Sequence, residues 1–316
     1  MEQLNKTALK AHGLDKSGHL YKVNSFDFHR FEDTIKLADD PDYNQTAFEG
    51  MLDALNDDTQ KIDDVLDTYF DTENLVYWMA FQILTGNCDT QNRNCYLYSP
   101  LNSNTWYFLD WDNDGMLRKL ELSLTGFSDY ASWERGASNY WGNVLFNRAL
   151  RSKSFRSELD RAVKDLRSYL TETRLTKMIK HYREVTESLV FASPDIDNLP
   201  VTKAQYEQIA AAIPSEIEEN YKSFRESFKK PMPFYIGVPQ IDNGKLRINW
   251  DASYDFKARD IRYTVELARD YAISDVVFKA EDVLLPEVTC DAPDAGQYFV
   301  RVRATNSDGF TQDAFD

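Results

Sequence analysis

Two polar stretches decide the reading of this chain: Gly86-Asn87-Cys88-Asp89-Thr90-Gln91-Asn92-Arg93-Asn94 and, further on, Asp110-Trp111-Asp112-Asn113-Asp114-Gly115. The first follows an apolar run at helical spacing, Leu75, Met79 and Ile83, which Asp71 can cap at its start and Gly86 at its end. The second follows Trp106-Tyr107-Phe108-Leu109, a short run of β-type residues. Tyr96-Leu97-Tyr98 is another such run, set apart from it by Pro100 and an Asn/Ser-rich turn. The order predicted is therefore helix, polar loop, β-hairpin, acidic loop.

In the first stretch Asp89 stands five residues before Asn94, after a helix and before a strand. That is the Asp-x-x-x-x-Asn arrangement of a kinase catalytic loop. The Asp orients or accepts the proton of an attacking hydroxyl, and the Asn carbonyl reaches a metal held on the phosphates. Taken alone, two polar residues at this spacing ordinarily cap helices or shape turns. The carboxylate cluster after the second strand changes the balance, because it places a metal-binding Asp behind a hairpin that follows the catalytic loop.

Working outward, the pattern up to about Lys230 is mostly helical. Phe155, Leu159, Val163, Leu166 and Leu170 form one stripe, Leu175, Met178, Tyr182, Val185 and Leu189 a second, and Ile217, Tyr221, Phe224 and Phe228 a third that stops before Pro231 and Pro233. All three are expected to pack in the core. After Pro233 the period becomes alternating: Leu246, Ile248, Trp250, then Tyr263, Val265, Leu267, then Tyr298, Val300, Val302, Ala304. With Asn243-Gly244 and Asp308-Gly309 as turns, this is a separate β module with room for about seven short strands. The expected fold class is α+β, with a mostly helical domain over 1–231 and an all-β domain over 232–316.

The 36 basic and 52 acidic side chains give a formal charge of −16, which repels DNA, RNA and anionic lipid, so no nucleic-acid partner is expected. A protein this negative needs metal ions to handle a nucleotide. No apolar run approaches the ~18 residues of a membrane span, and the N-terminus lacks the apolar stretch of a signal peptide. Cys88, Cys95 and Cys290 have no metal-ligand spacing and are odd in number, so they imply no disulfide framework.

A rival reading uses the same acidic loop. Asp110, Asp112, Asp114, Gly115 and Glu121 satisfy the EF-hand spacing D-x-D-x-D-G-x5-E, which makes Ca²⁺ the alternative ion. A true EF-hand needs a helix entering the loop, and Trp106 to Leu109 read as strand. Both readings place a divalent cation on Asp112.

On these residues the chain resembles the CotH family, spore-coat-H-type proteins with an atypical protein-kinase fold. The resemblance rests on Leu20-Tyr21-Lys22, on Leu84-Thr85-Gly86-Asn87-x-Asp89 through Asn94-x-Tyr96-Leu97-Tyr98, and on Trp106 ahead of Trp111-Asp112-x-Asp114, and it covers roughly the first 230 residues. It implies a kinase-like C-lobe and ATP-dependent phosphorylation of Ser/Thr hydroxyls on a protein substrate, with Mg²⁺ or Mn²⁺. It makes Asp89 the catalytic-loop Asp and Asn94 and Asp112 the metal ligands, with Asp114 as an accessory ligand. Trp106 is expected to stack on the adenine, with Tyr21 as the second face of that clamp. The family's N-terminal lobe should precede Leu20-Tyr21-Lys22, where only about twenty residues stand, so most of the nucleotide roof is expected to be missing. Asp110 also departs from the family, which more often has an uncharged residue before its Trp-Asp pair.

The β module resembles a fibronectin type III domain in Leu246-x-Ile248-x-Trp250-Asp251, Tyr263-x-Val265 and Gly296-x-Tyr298-x-x-Arg301-Val302-x-Ala304, with Trp250 in the core and Tyr298 as a corner tyrosine. Such modules space or dock domains outside the cytoplasm, so an extracellular, cell-surface or spore-coat setting is expected. The alternative function is a non-catalytic surface or coat scaffold with a structural Ca²⁺ or Mg²⁺ loop at 110–121.

Overall fold

The computed structural model describes residues 3–29, 36–37, 46–126 and 131–315. The described chain divides into two compact units, residues 1–129 with 143–222 and residues 130–142 with 223–316. The fold is α+β.

In chain order the elements are α1 (Lys6–Ala11), β1 (His19–Val23), β2 (Lys36–Leu37), α2 (Thr46–Asn56), α3 (Ile62–Tyr69), α4 (Thr72–Thr85), β3 (Cys95–Ser99), β4 (Tyr107–Asp110), α5 (Lys119–Thr125), α6 (Val144–Arg151), α7 (Lys153–Tyr169), α8 (Glu172–Val190) and α9 (Lys203–Ser227). Beyond them come β5 (Gln240–Asp242), β6 (Lys245–Asn249), β7 (Ile261–Ala268), β8 (Val276–Val283), β9 (Glu287–Asp291), β10 (Phe299–Asn306) and β11 (Thr311–Asp313).

The helix that delivers the chain to the first polar loop is bounded as its sequence requires. Asp71 accepts a hydrogen bond from the Asn74 amide at 2.8 Å, and α4 ends on Gly86 at φ 67°, a left-handed position that costs a glycine little. Behind it, β1, β2, β3 and β4 form one antiparallel sheet in the order β2-β1-β3-β4. In the register Val23↔Cys95↔Asp110 and Lys22↔Tyr96↔Leu109, alternation sends Leu20, Tyr96 and Tyr98 to one face, where Leu9 of α1 covers them. Tyr21, Leu97 and Phe108 lie on the other face, and all three are buried.

The helical stripes meet different fates. In α7, Phe155, Leu159 and Val163 are buried as expected. Ile217 and Phe224 of α9 are buried too. In α8 only Leu175 is covered; Met178, Tyr182, Val185 and Leu189 face outward, which corrects the expectation that this stripe packs in the core.

Among the described residues, the second unit holds seven strands in two sheets, ordered β11-β10-β7-β8 and β5-β6-β9. Its core gathers Ile248, Trp250, Tyr263, Val265, Leu267, Val302 and Ala304, the inward positions of the alternating runs. The Tyr298 hydroxyl donates to the Asp294 carbonyl four residues upstream, at 3.1 Å. Just before β7, a buried ion pair joins Asp255 to Arg259, whose Nε stands 3.0 Å from both carboxylate oxygens. Asn306 Nδ2 and the Lys257 amide complete the acceptor sites of that carboxylate, at 2.9 and 2.8 Å.

Candidate active site

The site assembles at one end of the β3–β4 hairpin. Because Cys95 pairs with Asp110, Asn94 and Trp111-Asp112 leave the ladder at the same edge, and the loops before β3 and after β4 come together there. The Leu117 amide donates to the Thr85 carbonyl at 2.9 Å, turning the acidic loop back onto the end of α4. Gly115 lies so near the first loop that a Cβ on it would stand 2.7 Å from Asn87 Oδ1 and 3.4 Å from the Asp89 Cβ. Only a residue without a side chain permits this approach.

A buried chain of amides ties the two loops together. Gln82 Nε2 donates to Asp110 Oδ1 at 2.7 Å and to Asn113 Oδ1 at 3.3 Å, while Gln82 Oε1 accepts from Asn87 Nδ2 at 3.0 Å. Asn87 Nδ2 also reaches Asn113 Oδ1 at 3.3 Å, and Asn87 Oδ1 accepts from the Asp89 amide at 3.4 Å. Gln82 and Asn87 are both buried, so their hydrogen bonds must be met inside the fold. Burial pushes the Asp110 carboxyl above its ordinary range, and the hydrogen bonds from Gln82 and Trp78 pull in the opposite direction. The extra charge of this loop is thus spent on holding Gln82. From the other side, Asn143 Nδ2 donates to the Gln91 carbonyl at 2.9 Å, and the Phe26 amide donates to the Asn92 carbonyl at 2.7 Å, anchoring the first loop.

Asp89 occupies a short 3-10 turn, Cys88–Thr90, with its side chain one-third exposed (33%). The Arg93 guanidinium pairs with Oδ1, and Asn94 Nδ2 donates to Oδ2 at 2.8 Å. That contact orients Asn94 so that its carbonyl Oδ1, the atom suited to a metal, has no partner among the described residues. The carboxylates of Asp112 and Asp114 likewise have none there. Asn94 and Asp112 each take a left-handed backbone, φ 57°, a conformation that Asn and Asp adopt more readily than other side-chain-bearing residues. Beside them the Lys22 ammonium lies 5.5 Å from the centroid of the Trp111 ring.

Asp89 and Asn94 therefore touch, while Asp112 and Asp114 stand in the loop that leaves the same edge of the hairpin and turns back toward Asp89 at Gly115. Trp106 and Tyr21 are brought to each other, with ring centroids 5.7 Å apart, but not to the surface: both are 0% exposed, and Phe48 of α2 packs against each of them, at 5.2 and 4.6 Å. Neither presents a face to an adenine in this packing, so the expected clamp is corrected to an aromatic core. The EF-hand spacing also lacks its geometry. Strand β4, not a helix, enters the loop, and Glu121 lies on α5 paired with Arg118 at 2.9 Å.

Sequence reasoning missed Gln82 and Asn143 as supports of the site. The available signal for Gln82 was its place as the one amide in the otherwise apolar run Phe81-Gln82-Ile83-Leu84; Asn143 carried none. Among the described residues no three His, Cys, Asp or Glu side chains converge as a metal cage.

A family model described as CotH kinase protein matches residues 1–224. The chain belongs to the CotH kinase family, and with it to proteins that use ATP, a divalent metal and a protein substrate. No curated protein matches the chain. No described helix is long and apolar enough to cross a membrane.

Proposed function

We propose that this chain is an atypical protein kinase that transfers the γ-phosphoryl group of ATP to Ser or Thr hydroxyls of extracytoplasmic or spore-coat proteins. The observation that supports the reading is that Asp89 and Asn94 touch in the loop before β3, while Asp112 stands in the loop that leaves the same edge of the hairpin after β4. Asp89 is held by Arg93 and Asn94, while Asn94 Oδ1 and the Asp112 carboxylate are left without partners among the described residues. The residues fit a Mg²⁺ or Mn²⁺ ion of the kind that takes one or two protein oxygens and completes its shell with phosphates and water. Asn94 and Asp112 would hold it, with Asp114 as an accessory ligand. Bound there, it would supply positive charge to offset that of the phosphates.

The chain's own residues supply the rest. Asp89, at the mouth of the loop, accepts a hydrogen bond from the substrate hydroxyl and takes its proton as the phosphoryl group arrives. Arg93 fixes the carboxylate from its far side, and with Lys22 it adds positive charge where a chain of net charge −16 would otherwise repel a nucleotide. The amide chain through Gln82 and Asn87 keeps the two loops in register, so that base and ligands stay within reach of each other.

We also propose that residues 232–316 form a fibronectin type III-like domain that spaces or docks the kinase domain over 1–231. The buried Trp250, the corner contact of Tyr298 and the seven strands in sheets of four and three support it.

The test is phosphate transfer from Mg²⁺-ATP to a Ser/Thr-rich acceptor protein, or to the chain itself, read by mass spectrometry for the wild type and Asp89→Asn. Phosphorylation that disappears in Asp89→Asn is expected. No transfer, together with no metal-dependent nucleotide binding, would leave a non-catalytic scaffold in its place.

A further inference from the structure

Both oxygens of the Asp89 carboxylate are engaged in this structure. The Arg93 guanidinium pairs with Oδ1 through one terminal nitrogen, and Asn94 Nδ2 donates to Oδ2 at 2.8 Å. A guanidinium carries five N–H donors in a planar fork. Beyond Asp89, Arg93 has no partner among the described residues, and its side chain is 49% exposed, so the rest of that fork is uncommitted. Its position matters as much as its charge. Arg93 directly precedes Asn94 and holds the other oxygen of the same carboxylate, which sets the guanidinium beside the amide assigned to the metal-bound phosphates. The neighbouring cations are engaged elsewhere: Arg118 pairs with Glu121, Lys119 with Glu219, and Lys22 lies over the Trp111 ring.

We propose, resting on the kinase reading above, that Arg93 recognises the terminal phosphate of ATP and, by turning to it, releases Asp89 for the acceptor hydroxyl. Two contact strengths set the direction. The Asp89–Arg93 pair is open to water, and pairs of that kind contribute little. A guanidinium fork on a phosphate makes two parallel charge-assisted hydrogen bonds, the stronger class. A terminal phosphate beside Asn94 therefore outcompetes the carboxylate. Once Arg93 has turned, Asp89 Oδ1 is open to accept the hydrogen bond of a Ser or Thr hydroxyl, while Asn94 still holds Oδ2. ADP brings no terminal phosphate to that position, so Arg93 stays on Asp89 and the base stays covered. The site thus discriminates ATP from ADP and couples that choice to the uncovering of its base.

Calorimetric titration of Mg²⁺-ATP and Mg²⁺-ADP into the full chain tests this, with circular dichroism checking that each variant folds as the wild type does. The wild type should bind ATP about tenfold more tightly than ADP, the difference made by one charged hydrogen-bonding contact. Arg93→Gln should bring ATP down to the affinity of ADP and leave ADP unchanged. Arg93→Lys, a point charge without the fork, should recover part of the gap. In Asp89→Asn, where Arg93 has no carboxylate to leave, the preference for ATP over ADP should exceed the wild-type value by about two- to fivefold. An Arg93→Gln chain that keeps the wild-type preference, or an Asp89→Asn chain whose preference does not rise, overturns the proposal and leaves Arg93 a fixed support of Asp89. A wild type that binds neither nucleotide in the presence of Mg²⁺ removes the kinase reading itself, and this role of Arg93 with it.

Discussion

Two places in this molecule are built from the same parts. In each, an Asp is followed four residues later by an Arg that pairs with it, and an Asn amide donates to the same carboxylate: Asp89, Arg93 and Asn94 in the first unit, Asp255, Arg259 and Asn306 in the second. Their surroundings differ. Asp255 has a side-chain exposure of 1%, and Arg259, Asn306 and two backbone amides, those of Lys257 and Arg259, fill its acceptor sites. Asp89 is one-third exposed, and Asn94 Oδ1 and the Asp112 carboxylate, on the loops at the same edge of the hairpin, are oxygens that no described residue uses. The Asp255 arrangement can only hold a fold together. The Asp89 arrangement has capacity left for a ligand.

The comparison can be broken by mutation, and the largest effect is expected at the site. Asp89→Asn should lower the phosphate-transfer rate by about 10²–10⁴-fold, the usual contribution of a positioned acid–base group, while the unfolding free energy moves by under about 1 kcal/mol. Asp255→Ala should do the reverse. It removes the buried one of the two carboxylates on Arg259, leaving only the half-exposed Asp308, and should cost about 3–5 kcal/mol of stability in a urea titration, with transfer retained under native conditions.

Trp106→Ala separates a core aromatic from an adenine platform. With the ring fully buried against Tyr21 and Phe48, the loss should appear as about 3–5 kcal/mol of stability. The milder Trp106→Phe should leave the affinity for ATP unchanged in the variant that stays folded.

Smaller still is the pH dependence of the second unit. Burial raises the Asp255 carboxyl, but the hydrogen bonds from Arg259 and Asn306 outweigh it and hold the group below its ordinary value of 3.8. A carboxyl depressed in the folded state stabilises fully above that ordinary value, and the contribution drains away as pH falls through the folded value. Stability should therefore fall below pH 3.8 in the wild type, and this component of the slope should be absent in Asp255→Asn. The smallest effect is expected for Arg93→Ala, an exposed pair worth under about 1 kcal/mol to stability.

Much of the site could be read from residue order, because its parts are local: the Asp71 cap, the Gly86 stop, the Asp89-to-Asn94 spacing and the hairpin that returns the chain to Asp112. What stayed hidden depends on contacts between distant segments. Periodicity shows that α8 has an apolar face, but it does not show whether anything covers that face; Leu175 is covered and Leu189 is not. Aromatic character marked Trp106 and Tyr21, yet the ring that seals them, Phe48, comes from a helix outside both motifs. Only the rival EF-hand spacing counted Asp110 as a ligand alongside Asp112 and Asp114. Gln82, reaching in from α4, takes Asp110 out of that set.

The central claim is that Asn94 and Asp112 hold a divalent ion against ATP while Asp110 serves the fold. Calorimetric titration of ATP into the wild type, Asp112→Ala and Asp110→Asn, with and without Mg²⁺, tests it most directly. The account predicts Mg²⁺-dependent binding to the wild type, its loss in Asp112→Ala and its survival in Asp110→Asn. Binding that is indifferent to Mg²⁺, or that disappears with Asp110 and persists without Asp112, would contradict it.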